Sequence, residues 1–423
     1  MLNNKTMPRA LLALLILPAL ASAADVKAFI GARIIDGTGK PAIEKATLVI
    51  RDGKIEAVGT RVKIPKDAER IGVSGKTIIP GLVNAHGHVS TPTQLGRYLR
   101  DGITTLWSLG DTCSEARKKT GACSSEFDLR DQSRRSSPGT LPRLYVAGPV
   151  ITSTTPDDAR RAVRDLVPQK PDVIKFREDD ALGTRPKMSA ETYTALIDEA
   201  HKAGFRVASH IVTLDDAKGV LKAGADFIAH SVRDQEIDDE FIRLMKQRGI
   251  FYCPTFTREI SVFTYAEPPA FFKDPFFLKE ADPAEIARMS DPKLQQTMGT
   301  DRAALWYKEH LKIALNNLKM ASNAGIGVAM GTDTGGGTGR FQGYFEHLEL
   351  EYEVEAGLTP MQALVSATSG AAQAMKIADQ VGTLERGKQA DLLILSANPL
   401  DDIRNTHQIE SVWLAGQRVR SEK

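Results

Sequence analysis

Eight short apolar stretches, each followed by a segment with helical spacing, run through the middle of the chain and leave few folds open to it. They are residues 82–88, 103–109, 144–151, 173–177, 206–212, 227–232, 250–256 and 327–332. Helical patterns at 190–203, 214–223, 236–247 and 303–324 lie between them, and these stop at Gly204, Gly224, Gly249 and Gly325. Glycine is favoured there because the residue after a helix often takes a left-handed backbone. Thr359-Pro360-Met361-Gln362 opens a further helix with an N-cap threonine, a first-turn proline and a capping-box glutamine. Eight β/α alternations in about 300 residues specify an α/β fold of the closed (β/α)8 TIM-barrel type. An open doubly wound sheet competes, but no Gly-x-Gly-x-x-Gly phosphate loop follows the first strand.

The two ends have a different texture. Residues 26–35, 46–50 and 54–58 read as strands around the turns Asp36-Gly37 and Asp52-Gly53, and 391–395 and 411–414 read the same way. Neither end alone offers enough strands for an independent sheet. The expectation is a composite β-sandwich domain, 24–80 with 381–423, beside a catalytic barrel at 81–380. Two connections, 110–142 and 257–300, are too long for ordinary β/α loops and leave strands on the face where barrel active sites form. The second carries Phe263, Tyr265, Phe271, Phe272, Phe276 and Phe277, either a lid or a cluster packed on the protein or a neighbouring subunit of a homo-oligomer.

The first 23 residues read as a signal peptide. Lys5 and Arg9 precede an apolar run at 10–20, followed by Ala21-Ser22-Ala23 as the cleavage site. A bilayer span needs about 20 apolar residues; this run is shorter and contains Pro18. Cleavage after Ala23 sends the chain to the periplasm or outside the cell, free of the membrane. The three cysteines are too few for a disulfide scaffold, although Cys113 and Cys123, ten apart, would pair or stay as thiols in such a compartment. With 55 basic and 53 acidic residues and no basic stripe, nucleic acid is excluded as a partner.

The chemistry gathers at strand ends. His86 and His88 close the first strand on one face, Lys175 lies in the fourth, His210 and His230 close the fifth and sixth, and Asp333 follows the eighth. Imidazoles and a carboxylate suit zinc, and less selectively manganese, iron or cobalt. An ammonium has no acceptor, so Lys175 needs a different role. Burial lowers a lysine pKa and frees the amine to react with carbon dioxide, giving a carbamate whose two oxygens bridge two cations. His201, His310 and His407 read as solvated or structural, and His347 as helix packing or an approach to the site.

These residues resemble the amidohydrolase superfamily, and within it the imidazolonepropionase-like metal-dependent hydrolases of the prolidase and carboxypeptidase branch. The likeness rests on residues 80–88 (PGLVNAHGH), 331–334 (GTDT) and 382–391 (GTLERGKQAD), and spans the whole mature chain. It implies a binuclear centre of two divalent ions, zinc foremost. His86, His88 and Asp333 would hold one ion and His210 and His230 the other, with carbamylated Lys175 between. A hydroxide shared by the ions would attack a carbonyl, with Asp333 taking its proton and passing it to the departing nitrogen.

The expected function is therefore hydrolysis of an amide or peptide-like C–N bond in a small molecule. Arg177, Arg233, Arg258 and Arg340 fall just past strand ends and suit a substrate carboxylate, or else neighbouring Glu178, Asp179, Asp234 and Glu259. Peptidase members of the family commonly carry a His or Tyr two residues after the fifth-strand ligand. Here Val212 stands there, which argues against standard dipeptidase specificity. Two other readings compete. An imidazolonepropionase-type cyclic amide hydrolase is opposed by the signal peptide and by Lys175. A non-catalytic periplasmic metal- or solute-binding protein has no need of a proton shuttle at Asp333.

Overall fold

The computed structural model describes residues 25–419; the expected signal peptide lies outside the described residues. Eight backbone segments close the barrel. Leu82–Gly87, Ile103–Ser108 and Arg143–Val146 pair in parallel, and so do Ile174–Arg177, Val207–His210, Phe227–Ala229 and Tyr252–Cys253. A bridge between Ile151 and Phe176 joins the third and fourth segments, and residues 327–334 close the ring by bridging Tyr252 and Gly87. Small residues allow that closure: a Cβ on Gly331 would sit 2.8 Å from the Cβ of His86 and 2.5 Å from Cys253 Sγ.

Several strands are shorter than their apolar stretches. The seventh ends at Cys253 because Pro254 has no N–H, Thr255 takes φ 54°, and the helix Phe256–Ile260 begins at once. The eighth pairs alternately with both neighbours, through Tyr252 N–Gly327 O (2.8 Å) and Ala85 N–Met330 O (2.8 Å), and forms no continuous ladder. Each of the four glycines after the helices has positive φ, 82°, 113°, 61° and 78° in chain order.

The ends of the chain share one eight-stranded sheet. Thr77–Pro80 from the N-terminal part pairs antiparallel with Leu392–Leu395 from the C-terminal part, in the register Pro80 to Leu392. The sandwich is made by this single sheet curling over its own core, which brings Phe29 edge-on to Trp413 at 5.0 Å. Arg143 at the foot of the third barrel strand binds Asp391, which also accepts from Ala415 N (2.8 Å), tying the sheet to the barrel.

Both long connections are structured. The first contains Glu115–Lys119 and Glu126–Arg135 and the disulfide Cys113–Cys123, with Cα atoms 5.8 Å apart. The second contains Pro275–Glu280, Pro283–Met289 and Pro292–Thr300, each begun by an Asp-Pro pair whose aspartate caps the helix. Tyr265, Phe271, Phe272, Phe276 and Phe277 pack with Phe341, Tyr344 and Phe345 into a core of their own while Phe263 packs on the barrel core, so the aromatic stretch packs against the protein here. No helix among the described residues is long and apolar enough to cross a membrane.

Candidate metal centre and active site

The six residues read from the sequence all lie buried at the strand ends, between 1% and 7% exposed. Donor atoms of His86, His88 and Asp333 fall within 4.8 Å of one another. Asp333 Oδ1 is 2.7 Å from His88 Nε2 and 3.5 Å from His86 Nε2. His230 lies beside this group, its ring tilted against that of His86 at 4.7 Å and edge-on to that of His210 at 4.1 Å.

The imidazoles are oriented for ligation. His88 Nδ1 donates to Gly110 O (2.7 Å), which leaves Nε2 with its lone pair facing the site. His230 Nδ1 pairs with Thr255 Oγ1 (2.7 Å), and its Nε2 is buried without a hydrogen-bond partner among the described residues. Burial lowers the pKa values of His86, His210 and His230, so these rings are neutral near pH 7. Burial also pushes Lys175 down to about 7, and its Nζ has no partner among the described residues. Burial opposes ionisation of Asp333, but the Arg340 guanidinium outweighs it and holds the carboxyl well below the usual range.

Unpartnered buried nitrogens cost free energy that a folded chain rarely leaves uncompensated. The donor set of His86, His88 and Asp333 therefore fits a divalent ion. Backbone strain marks the same places. His230 and Asp333 take φ values of 79° and 58°, and Thr255 takes 54°; such conformations cost about 1 kcal/mol or more in residues with a Cβ.

The four arginines divide. Arg233 is fully buried against Glu259 (2.7 Å) and also donates to Ser231 O (2.9 Å), so the sequence-based choice of it as a substrate contact gives way to a buried ion pair. Arg340 donates to Asp333 Oδ2 (2.5 Å), Arg258 Nε lies 3.9 Å from the same oxygen, and Arg177 Nε lies 3.6 Å from Asp179 Oδ2. His347 is enclosed away from the site, between Asp101 O (2.8 Å) and Thr406 Oγ1 (3.0 Å).

Supporting residues went unread in the sequence. Glu346 Oε1 accepts from Asn84 Nδ2 (2.7 Å), Thr332 Oγ1 (2.8 Å) and Thr334 Oγ1 (2.5 Å), so one carboxylate grips both sides of Asp333. Asn84 Oδ1 in turn accepts from His86 N (2.8 Å). Asp179 Oδ2 lies 2.9 Å from His210 Nε2. Asn84 was within reach of the alternation that pairs His86 with His88, whereas nothing in the sequence connects Glu346 to a strand it does not follow.

The Amidohydrolase family model matches residues 77–419. The chain belongs to this family. It is 26% identical to an ochratoxinase of Aspergillus niger, over 91% of this chain and 84% of that protein. A proposed prolidase from Bifidobacterium longum has the same fold at a TM-score of 0.74, with 26% identity, 93% of this chain and 94% of the other being covered. A Xaa-Pro dipeptidase crystallised with methionine in its active site aligns at a TM-score of 0.73 and 21% identity, covering 93% and 99%. Family and relatives make the protein a hydrolase acting on C–N bonds, on an α/β TIM-barrel scaffold.

Proposed function

We propose that this amidohydrolase is a binuclear, zinc-type enzyme that cleaves an amide or peptide-like bond in a small, carboxylate-bearing molecule in an exported compartment. The observation that carries the reading is the ring of buried, neutral or unpartnered donors from four strands, His86, His88, Lys175, His210 and His230, closed by an ionised Asp333. His86, His88 and Asp333 would hold one ion, His210 and His230 the other, and carbamylated Lys175 would lie between them.

When bound, such ions supply a water acidic enough to attack near neutral pH and a Lewis acid for the scissile carbonyl. The chain supplies the proton handling. Asp333 stays ionised until attack, takes the proton at Oδ2, and delivers it to the departing nitrogen, which an amide needs because its anion is a poor leaving group. Arg340 at 2.5 Å keeps that carboxylate in place between transfers. Arg177, Arg258 and Arg340 leave the mouth of the site rich in guanidinium, which favours an anionic substrate.

Elemental analysis of protein purified without chelator should give about two divalent ions per chain, and one tightly held ion after reconstitution with zinc and bicarbonate would count against the bridge. Turnover is to be sought with N-acyl amino acids, dipeptides and lactams, the last of which would favour a cyclic amide hydrolase. Export is read by N-terminal sequencing: mature protein starting at Ala24 supports it, and an intact Met1 in the cytoplasm sinks it.

A further inference from the structure

Arg258 is a largely enclosed cation, its side chain 13% exposed, whose acidic neighbours are already taken. It projects from the helix Phe256–Ile260, whose first turn is fixed by Glu349 through Phe256 N (2.7 Å), Thr257 N (2.8 Å) and Thr257 Oγ1 (2.7 Å). Its guanidinium lies over the Tyr307 ring, 4.6 Å from the centroid, with Nε 3.9 Å from Asp333 Oδ2. Asp333 Oδ2 is engaged by Arg340, and the adjacent Glu259 by Arg233. Arg258 Nε and Nη1 are screened from solvent, yet neither has a hydrogen-bond partner among the described residues.

Charged donors left open in a buried site are costly unless an anion completes them. A carboxylate is the natural partner for such donors: Nε and Nη1 lie on opposite edges of the guanidinium, so either can give it a single charge-assisted hydrogen bond. Tyr307 is fitted to steady that pair: it is 6% exposed, and a second guanidinium, that of Arg233, lies 5.3 Å from its ring. Burial works against ionisation of the Tyr307 phenol, but Arg233 and Arg258 draw its pKa down, Arg258 also through a side-chain hydrogen bond.

Resting on the hydrolase reading above, we infer that Arg258, backed by Tyr307, is the specificity residue for the α-carboxylate of the amino acid that the cleavage releases. Position selects the α-carboxylate. In an N-acyl α-amino acid the carboxylate carbon is two bonds from the scissile nitrogen, about 2.5 Å away, and Arg258 stands beside the group that protonates that nitrogen. A carboxylate several methylenes further along would lie beyond it. The side of the site past the fifth strand offers no rival, because Ile211 and Val212 are buried and apolar.

The test uses the metal-loaded, full mature enzyme and three matched compounds on whichever amino acid is turned over best: the N-acetyl amino acid, its carboxamide and its β-amino acid homologue. Wild-type enzyme should prefer the free α-carboxylate over the other two by about a hundredfold in kcat/KM. Arg258→Gln should shrink that preference to within tenfold, chiefly by raising KM, with metal content unchanged; Arg258→Lys should restore part of it, and Tyr307→Phe should raise KM more modestly. A wild-type enzyme indifferent to the carboxylate, or an Arg258→Gln enzyme that keeps the preference, overturns the inference while leaving the hydrolase reading intact. Calorimetric titration with the N-acetyl amino acid separates the two failures. Binding that Arg258→Gln abolishes supports the anchor even where no compound is hydrolysed, a result that would count against the hydrolase reading alone; absence of binding to the wild-type protein overturns the anchor.

Discussion

The two halves of the site are held by different means. His86, His88 and Asp333 come from the first and eighth barrel segments, which bond directly to each other through Asp333 N–His86 O (2.7 Å) and His88 N–Thr334 O (2.7 Å). Behind them the Glu346 carboxylate collects Asn84, Thr332 and Thr334, and Tyr98 hydroxyl meets both Thr334 Oγ1 (2.7 Å) and His88 O (3.0 Å). Lys175, His210 and His230 sit on the parallel sheet opposite, where Lys175 Nζ and His230 Nε2 have no hydrogen-bond partner among the described residues. One half is pre-organised by a polar network in which His86 Nδ1 alone lacks a hydrogen-bond partner among the described residues; the other is assembled mainly from groups that wait for something to bind. An ion in the first half therefore needs little from the second, whereas the second depends on whatever Lys175 becomes.

Breaking the second half should give the largest effect. Lys175→Ala removes the amine that would carry the carbamate, and activity should fall by about a thousandfold or more, since the attacking water and the carbonyl lose their shared activation. Metal content should drop from about two ions per chain to about one, with the barrel still folded by circular dichroism. Bicarbonate or small carboxylates should restore part of both by supplying oxygens in its place. Lys175→Arg should behave like alanine because a guanidinium stays charged and cannot be carbamylated; a Lys175→Arg enzyme with two ions and normal turnover would falsify the bridge.

The first half is tested at Glu346. Glu346→Gln keeps the shape but replaces one carboxylate oxygen with an amide group that cannot accept from the same donors. Residues that orient ligands from behind typically contribute 10–100-fold in metal affinity, so the ion at His86, His88 and Asp333 should be lost about that much more readily in a chelator competition. Global stability should fall by about 1–3 kcal/mol, the cost of a buried donor left unpaired. Equal loss of both ions would show that the halves are not independent, and no loss would remove the network from any role in ligation.

The contrast also explains what was legible in the sequence. Strand-end ligands are visible because a barrel repeats one geometry: a polar residue closing an apolar run sits on the active-site face whichever strand it follows. His86, His88, His210, His230 and Asp333 share that position, and the structure gathers them with Lys175. Glu346 sits on the helix Tyr344–Glu355, where it looks like any glutamate; only the approach of that helix to Asn84 on the distant first strand, as well as to the eighth segment before it, makes it a clamp. Arg233 and Arg258 occupy similar places in sequence, and only packing tells them apart, since Glu259 lies within reach of one and is thereby denied to the other. The curled sheet was readable as strands at both ends, but its single-sheet path depends on the pairing of Thr77–Pro80 with Leu392–Leu395, more than 300 residues away. The helix starts in the second long connection are legible as Asp-Pro pairs, an N-cap followed by a first-turn proline.

The smallest effect is expected outside both halves, at His347, the histidine that the sequence left between site and scaffold. Its Nε2–H donates to Asp101 O (2.8 Å), and its Nδ1 lies 3.0 Å from Thr406 Oγ1, a hydroxyl that also donates to Ile403 O (2.9 Å). Burial lowers its pKa to about 3, with nearby His407 adding to the shift. The unfolded chain carries an ordinary histidine with a pKa of about 6.5. Between these values the unfolded state binds a proton that the folded state refuses, so this residue's contribution is present above pH 6.5 and is lost as the pH falls toward 3. A difference of one proton corresponds to a slope of about 1.4 kcal/mol per pH unit. His347→Gln, whose amide can still donate to Asp101 O, should remove that one-proton share from the acid limb of a denaturant-stability profile. Turnover near neutral pH should stay unchanged, because the ring touches neither half of the site. A profile that keeps its full acid slope in the glutamine variant would place the proton-linked instability in the metal-site histidines, and so return it to the half of the site that waits for an ion.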